Sequence, residues 1–324
     1  MTKDTNVSVG CAGILVSDTF CGPIAELPRE GQLLAVDALP TKAGGCAANV
    51  AIDLVKQGIA VEVSGCLGSD ASAKVLLASL EEHGVGCERI VYTDRFPTSK
   101  TVILLVAGQD RRYIHSFGAN SAFQVSHIDR EWVKQLKVFY LGGLFLMPVF
   151  HLEEFLDLLA FCRQHGVITV VDVVIPENAP LPGDLTSMLR LSDYFLPNND
   201  EARLLTGLES PHDQLQFFLE HEANTVFITL GKRGVLAGRG DEYWQAGVYD
   251  IKQVDPSGSG DAFDAGIVLG ALNGWDIPKM IQYASALGGS AIRQLGTTDG
   301  VFTTQEAAKF ILENPLKVNQ GSLK

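Results

Sequence analysis

The segment Asp255-Pro256-Ser257-Gly258-Ser259-Gly260-Asp261-Ala262-Phe263-Asp264-Ala265-Gly266 holds the residues best placed to do chemistry. Small side chains as far as Gly260 let the backbone come close to a ligand, and the apolar periodicity that follows makes Asp261 an early helical residue. The unpaired N–H groups and the dipole of such a helix start form an anion site, suited to a terminal phosphate and to the charge that develops as it is transferred. A carboxylate beside that site could take the proton of an attacking hydroxyl, as phosphoryl transfer requires. The same residues also fit a plain glycine-rich loop with an acidic residue near a helix start.

A second segment is Gly44-Gly45-Cys46-Ala47-Ala48-Asn49-Val50-Ala51. Two glycines ahead of a helix of small residues again permit close approach, and Asn49 can offer donor and acceptor to a sugar hydroxyl. A tightly packed helix start reads equally well.

Such groups need a frame, and the chain alternates short β-branched runs with amphipathic helical stretches. This predicts a mostly parallel sheet with helices on both faces. Strands are expected at Val7-Cys11, Val61-Cys66, Val138-Leu141, Val167-Val173, Tyr194-Leu196 and Thr225-Leu230. Helices are expected at Cys46-Gln57, Ala71-His83, Phe150-His165, Asp200-Leu205, His212-His221, Asp261-Leu272 and Lys279-Gln294, and Gly58, Gly84 and Gly166 stop the ones they follow. Ligands of an open parallel sheet bind beyond the carboxyl ends of its strands. Asp18, Asp172, Asn198 and Gly231 fall there, where each alone would also serve as a cap or turn residue.

Two stretches break the alternation, roughly residues 20–41 and 97–120. The second reads as a hairpin of Thr101-Ala107 and Arg112-Phe117 around Gly108-Gln109-Asp110-Arg111, and the first contains the strand-like Leu33-Leu39. Both can project from the sheet as a small β lid. No repeat or linker divides residues 1–316, which are expected to form one α/β domain, and the polar tail 317–324 is expected to fray.

With 324 residues, 46% hydrophobic and 19% charged, the chain is that of an ordinary globular protein. A net charge of -13 without a basic run argues against nucleic acid and anionic membrane as partners, while backbone N–H groups and Mg²⁺ could still neutralise phosphates locally. Six cysteines without a CxxC pair signal neither structural zinc nor a redox dithiol and suit a reducing, cytoplasmic setting. The apolar run from Val7 to Val16 suits a buried first strand better than a signal peptide.

Taken together, the two glycine-rich segments resemble the signatures of the ribokinase-like (PfkB) carbohydrate kinase family: Gly44-Gly45 with Asn49-Val50-Ala51 is similar to its N-terminal signature, and Asp255 to Phe263 to its C-terminal D-T-x-G-A-G-D-x-F. Between them, Pro197-Asn198-Asn199-Asp200-Glu201 resembles the family's N-x-x-E element, and Thr229-Leu230-Gly231-Lys232-Arg233-Gly234 its T-x-G-x-x-G turn. The resemblance implies a three-layer α/β/α fold with a β lid, and ATP-dependent phosphorylation of a small, unphosphorylated sugar or sugar acid. It implies Asp18, Gly44, Gly45 and Asn49 on the sugar. Asn198 and Glu201 would lie at the Mg²⁺-phosphate end, and Thr229, Gly231, Gly234 and Ser285 along ATP. Gly258, Ser259 and Gly260 would form the anion hole and Asp261 the base, with Asp255 and Ser257 beside a monovalent cation such as K⁺. A homodimer through the lid is also implied.

Pro256 stands where the family carries Thr, and Ser259 where it carries Ala, departures that bear on the cation site. Cys46 stands where ribokinases and sugar-phosphate kinases of the family often carry Lys, and the missing cation makes an already phosphorylated substrate the lesser expectation. A nucleoside kinase is the alternative within the fold, and a catalytically silent sugar or nucleotide sensor the alternative of another class. Arg111 or Arg112 could pair with a sugar acid's carboxylate, although exposed hairpin arginines are the plainer reading, and His115 reads as a strand surface residue.

Overall fold

The structure, a computed structural model, describes residues 7–109, 111–176 and 183–324. Its strands are β1 (Val9–Gly13), β2 (Val16–Ile24), β3 (Thr41–Gly44), β4 (Val61–Gly68), β5 (Gly86–Thr93), β6 (Lys100–Val106), β7 (Arg112–Ser116), β8 (Val138–Leu144), β9 (Ile168–Val173), β10 (Tyr194–Leu196), β11 (Val226–Thr229), β12 (Val235–Arg239), β13 (Glu242–Ala246) and β14 (Val318–Ser322). Its α-helices are α1 (Cys46–Lys56), α2 (Ala71–Glu82), α3 (Arg130–Val133), α4 (Leu152–Gln164), α5 (Leu185–Leu191), α6 (Asn199–Thr206), α7 (Pro211–Glu220), α8 (Ser259–Leu272), α9 (Ile277–Ala291) and α10 (Thr304–Glu313).

The main sheet has ten strands in the order β14-β13-β12-β11-β10-β9-β8-β1-β4-β5. Pairing from β5 to β11 is parallel, and β12, β13 and β14 extend the sheet antiparallel. β1 and β8 are buried on both faces, as helix-covered parallel strands must be. Their side chains alternate between two cores: Val9, Cys11, Val138 and Tyr140 join the residues of α1, α2, α8, α9 and α10, whereas Ala12, Phe139 and Leu141 join those of α3 to α7. This is the expected three-layer α/β/α arrangement. None of the described helices is long and apolar enough to cross a membrane.

A second sheet, β3-β2-β6-β7, is the lid. Phe20 of β2 and Ile103 and Leu105 of β6 form a small apolar cluster of their own against Leu295, which seats the lid on the loop after α9. Two expectations fail here. Leu33-Leu39 forms no strand: with Leu33 89% exposed and no neighbour to pair with, its apolar residues have nothing to pack on. The tail does not fray, because Val318–Ser322 pairs with β13 and closes that edge of the main sheet. In the hairpin turn, Asp110 lies outside the described residues.

Candidate active site

Asp261 sits in the first turn of α8. The helix is capped by Gly258 at φ 75°, where a Cβ would lie 1.9 Å from the Thr297 carbonyl oxygen, so only glycine fits. Gly260 is exposed with nothing within 4 Å of where a Cβ would stand, so the helix N-terminus opens on free space. The Asp261 carboxylate accepts a 2.7 Å hydrogen bond from Asn49 Nδ2. Asn49 Oδ1 in turn accepts one of 2.8 Å from Thr297 Oγ1. Burial raises the pKa of Asp261, and the Asn49 amide and the neighbouring Cys46 thiol oppose that rise.

Asp18 of β2 closes the other side. Its Oδ2 lies over Gly44, where a Cβ would be only 1.9 Å away. Burial pushes the Asp18 pKa up to about 7; Thr101 on β6 lowers it by hydrogen bonding, and the Asp261 charge adds to the rise. Gly45, the residue before α1, has φ 89° and no room for a Cβ, which would stand 2.4 Å from Ile14 O. Asp18, Gly44, Gly45 and Asn49 are thus gathered beside Asp261, with Cys46 in the same turn. Buried among carboxylates, Cys46 stays a neutral thiol.

Behind this group lies a second set of buried acids. Tyr140 donates to Asp264, one turn beyond Asp261, at 3.0 Å, and Asp172 at the end of β9 accepts from the Gly143 N–H at 3.0 Å. Burial first, and the Asp261 charge second, raise the pKa of Asp172 to about 8. Glu201 is raised well above its ordinary value by burial and then by Asp172. Asn198 caps α6, accepting from the amides of Asp200 and Glu201 at 2.9 Å each, and Glu201 Oε2 accepts from the Asn198 N–H at 2.8 Å. Asn198 also bridges to Thr229, so the ends of β10 and β11 lie side by side. Among the described residues no three His, Cys, Asp or Glu side chains converge to hold a metal directly, but Glu201 keeps one carboxyl oxygen outside the cap, free to meet a phosphate-bound divalent cation through water.

Gly231 (φ 58°) and Gly234 (φ 93°) shape the turn after β11, and at Gly234 a Cβ would lie 2.0 Å from Ala246 O. Ser285 is half-buried on α9, and no hydrogen bond among the described residues joins it to the groups above. Asp255 is fully buried, with Oδ1 held by the Ser257 N–H at 3.0 Å and Oδ2 by the Gly296 N–H at 3.1 Å. The missing N–H of Pro256 is therefore not needed to hold this carboxylate. Ser257 Oγ is buried without a partner among the described residues. An orphaned hydroxyl beside a buried carboxylate fits a monovalent cation.

Four participants escaped sequence reasoning. Thr297 follows no motif, and only the tertiary fold brings it to Asn49. Tyr140 and Asp264 meet across the sheet-helix interface. Lys42 on β3 reaches the same loop as Thr297, bonding Leu295 O at 2.9 Å and Asp299 at 2.8 Å. Asp264 stood in the glycine-rich segment, three residues past Asp261, a spacing that places both on neighbouring turns of one helix face.

The family model described as pfkB family carbohydrate kinase matches residues 11–304. The ribokinase of Haemophilus influenzae is 25% identical over 292 residues, covering 87% of this chain and 92% of its own length. The 2-dehydro-3-deoxygluconokinase of Bacillus subtilis is 25% identical over 291 residues, covering 87% and 90%. Among solved structures, the Arabidopsis thaliana ribokinase complexed with ribose and ATP gives a TM-score of 0.80 at 22% identity, covering 94% of this chain and 98% of that one.

Proposed function

Because the chain belongs to the pfkB family of carbohydrate kinases, we propose that it transfers the γ-phosphoryl group of ATP to a hydroxyl of a small unphosphorylated sugar or sugar acid, with Asp261 as general base. The observation that carries this reading is the Asn49-Asp261 hydrogen bond of 2.7 Å beside the open N-terminus of α8. A base and an anion site there face the same space. Asp261 takes the proton of the sugar hydroxyl as its oxygen bonds to the γ-phosphorus. The bond from that phosphorus to the β–γ bridging oxygen breaks, and ADP leaves. N–H groups at Gly258, Ser259 and Gly260 face the charge that develops. Asp18 and Asn49 hold the sugar, and the lid keeps water from the transferred group. Thr229, Gly231, Gly234 and Ser285 border the nucleotide.

Mg²⁺, when bound with ATP, supplies charge neutralisation along the phosphates, and Asn198 and Glu201 are the residues that would hold it through water. Asp255 and Ser257 would hold a monovalent cation. An unphosphorylated substrate is the reading we favour because the lining at Cys46 offers a second phosphate no cation: buried with Asp261, Asp172 and Asp264 around it, Cys46 stays a neutral thiol. The relatives named as ribokinase and 2-dehydro-3-deoxygluconokinase bracket the sugars and sugar acids to try first.

An ATP-consumption screen over sugars, sugar acids, sugar phosphates and nucleosides, with and without potassium, tests the substrate class. Sugars or sugar acids are expected to dominate, and a dominant response to sugar phosphates would overturn the argument from Cys46. For the mechanism, Asp261→Asn is expected to lower kcat by roughly 10²–10⁴-fold while ATP still binds. Unchanged turnover in that variant would remove Asp261 as base.

A further inference from the structure

Asn49 lies 2% exposed in the first turns of α1, and each end of its amide makes one hydrogen bond, which leaves the second Nδ2 proton for a sugar hydroxyl. Nδ2 donates to Asp261 Oδ2 at 2.7 Å, and Oδ1 accepts from Thr297 Oγ1 at 2.8 Å. Thr297 is itself 5% exposed, on the loop that also backs the Gly258 cap. Its hydroxyl has one proton and two acceptors in reach, Asn49 Oδ1 and the Ala43 carbonyl at 3.3 Å, and the shorter bond takes it.

We propose that Thr297 is a positioning residue of the phosphoryl-transfer site: its hydroxyl fixes the side-chain amide of Asn49 so that the amide presents N–H, and not C=O, to Asp261. The inference rests on the reading of Asp261 as the base. An amide turned the other way would aim its carbonyl at the carboxylate, which only the protonated acid tolerates, and a protonated acid is no base. With Thr297 in place, the outward carbonyl of Asn49 has a donor and the working orientation leaves no buried polar atom unpaired. The same loop is bonded by Lys42 from lid strand β3 through Leu295 and Asp299, so the base is held by a segment that the lid also grips.

Thr297→Val keeps the shape and removes the hydroxyl. Measured in full-length enzyme with Mg-ATP and the sugar found by the screen, kcat is expected to fall roughly tenfold, the worth of one hydrogen bond to a charged group, with the sugar KM little changed. The acid limb of the kcat profile is expected to move to higher pH, because less N–H donation leaves Asp261 easier to protonate. Thr297→Ser is expected to restore the wild-type profile. In an Asn49→Ala background, Thr297→Val is expected to cost nothing further. Thr297→Ala serves the same comparison should the valine perturb folding, checked by circular dichroism.

A wild-type kcat-pH profile in folded Thr297→Val or Thr297→Ala, alongside an inactive Asp261→Asn, would overturn the positioning role and leave the proposed function standing. So would a defect that persists undiminished without Asn49. Full activity in Asp261→Asn would instead overturn the proposed function, and this inference with it.

Discussion

At the residue scale, the site is set as much by absent side chains as by present ones. Gly44 has an ordinary backbone conformation that alanine could adopt; what excludes a Cβ is the Asp18 carboxylate, whose Oδ2 would stand 1.9 Å from it. Gly44→Ala should therefore leave the fold intact and push Asp18 away from the sugar. The expected result is a sugar KM raised roughly tenfold or more, the cost of one hydrogen bond to a charged group, with a smaller effect on kcat. Steady-state kinetics checks it, and an unchanged KM would mean that Asp18 does not contact the sugar. Gly44, Asn49 and Asp261 could be singled out in the sequence because glycines and helix starts leave local signatures, and Asp18 because it follows the first strand. Thr297, Tyr140 and Asp264 could not, because nothing local marks a side chain whose partner lies far along the chain: Thr297 and Asn49 are 248 positions apart, Tyr140 and Asp264 are 124.

At the element scale, the strands and helices read from sequence are those whose patterns are strongest. Tyr194–Leu196 matched at both ends, and Gly58, Gly84 and Gly166 stop α1, α2 and α4 in left-handed conformations of φ 78°, 82° and 71°. β14 was missed because Val318-Asn319-Gln320-Gly321-Ser322 has little intrinsic strand preference, and pairing with β13 decides its state. In the lid, β2 and β6 run parallel, a pairing that no hairpin signal announces. The lid also carries an element-scale consequence. β7 is an edge strand with all five residues exposed, and Ile114 (63% exposed) lies opposite Val102 (37%) on its outward side. Apolar residues on an edge strand call for a cover, and a second lid of the same chain would supply a complementary one. Ile114→Arg is expected to convert a dimer to a monomer in light scattering without changing the circular dichroism spectrum. A monomeric wild type would dispose of the lid dimer.

At the scale of the whole molecule, the site is in tension with stability. The net charge is -13, and several acids are buried together: Asp18, Asp172 and Asp264 beside Asp261, and Asp53, fully buried with neither carboxyl oxygen partnered. Burial raises the pKa of each. A carboxyl group whose pKa is raised by folding binds more protons in the native than in the unfolded state, so stability is greatest at low pH and declines as the pH climbs through the folded value. For Asp172, raised from 3.8 to about 8, and Asp18, raised from 3.8 to about 7, that decline spans the interval between roughly pH 4 and pH 8. Asp172→Asn keeps an oxygen for the Gly143 N–H and removes the charge. Without ligands it should be more stable than wild type by more than ~1 kcal/mol at pH 8, the worth of one pKa unit, and about equal to it near pH 4. Urea unfolding at the two pH values measures this directly. Stability differences that do not widen with pH would show that Asp172 carries no raised pKa. Divergent curves, with turnover lost in the variant, would identify its charge as kept for function at the expense of stability.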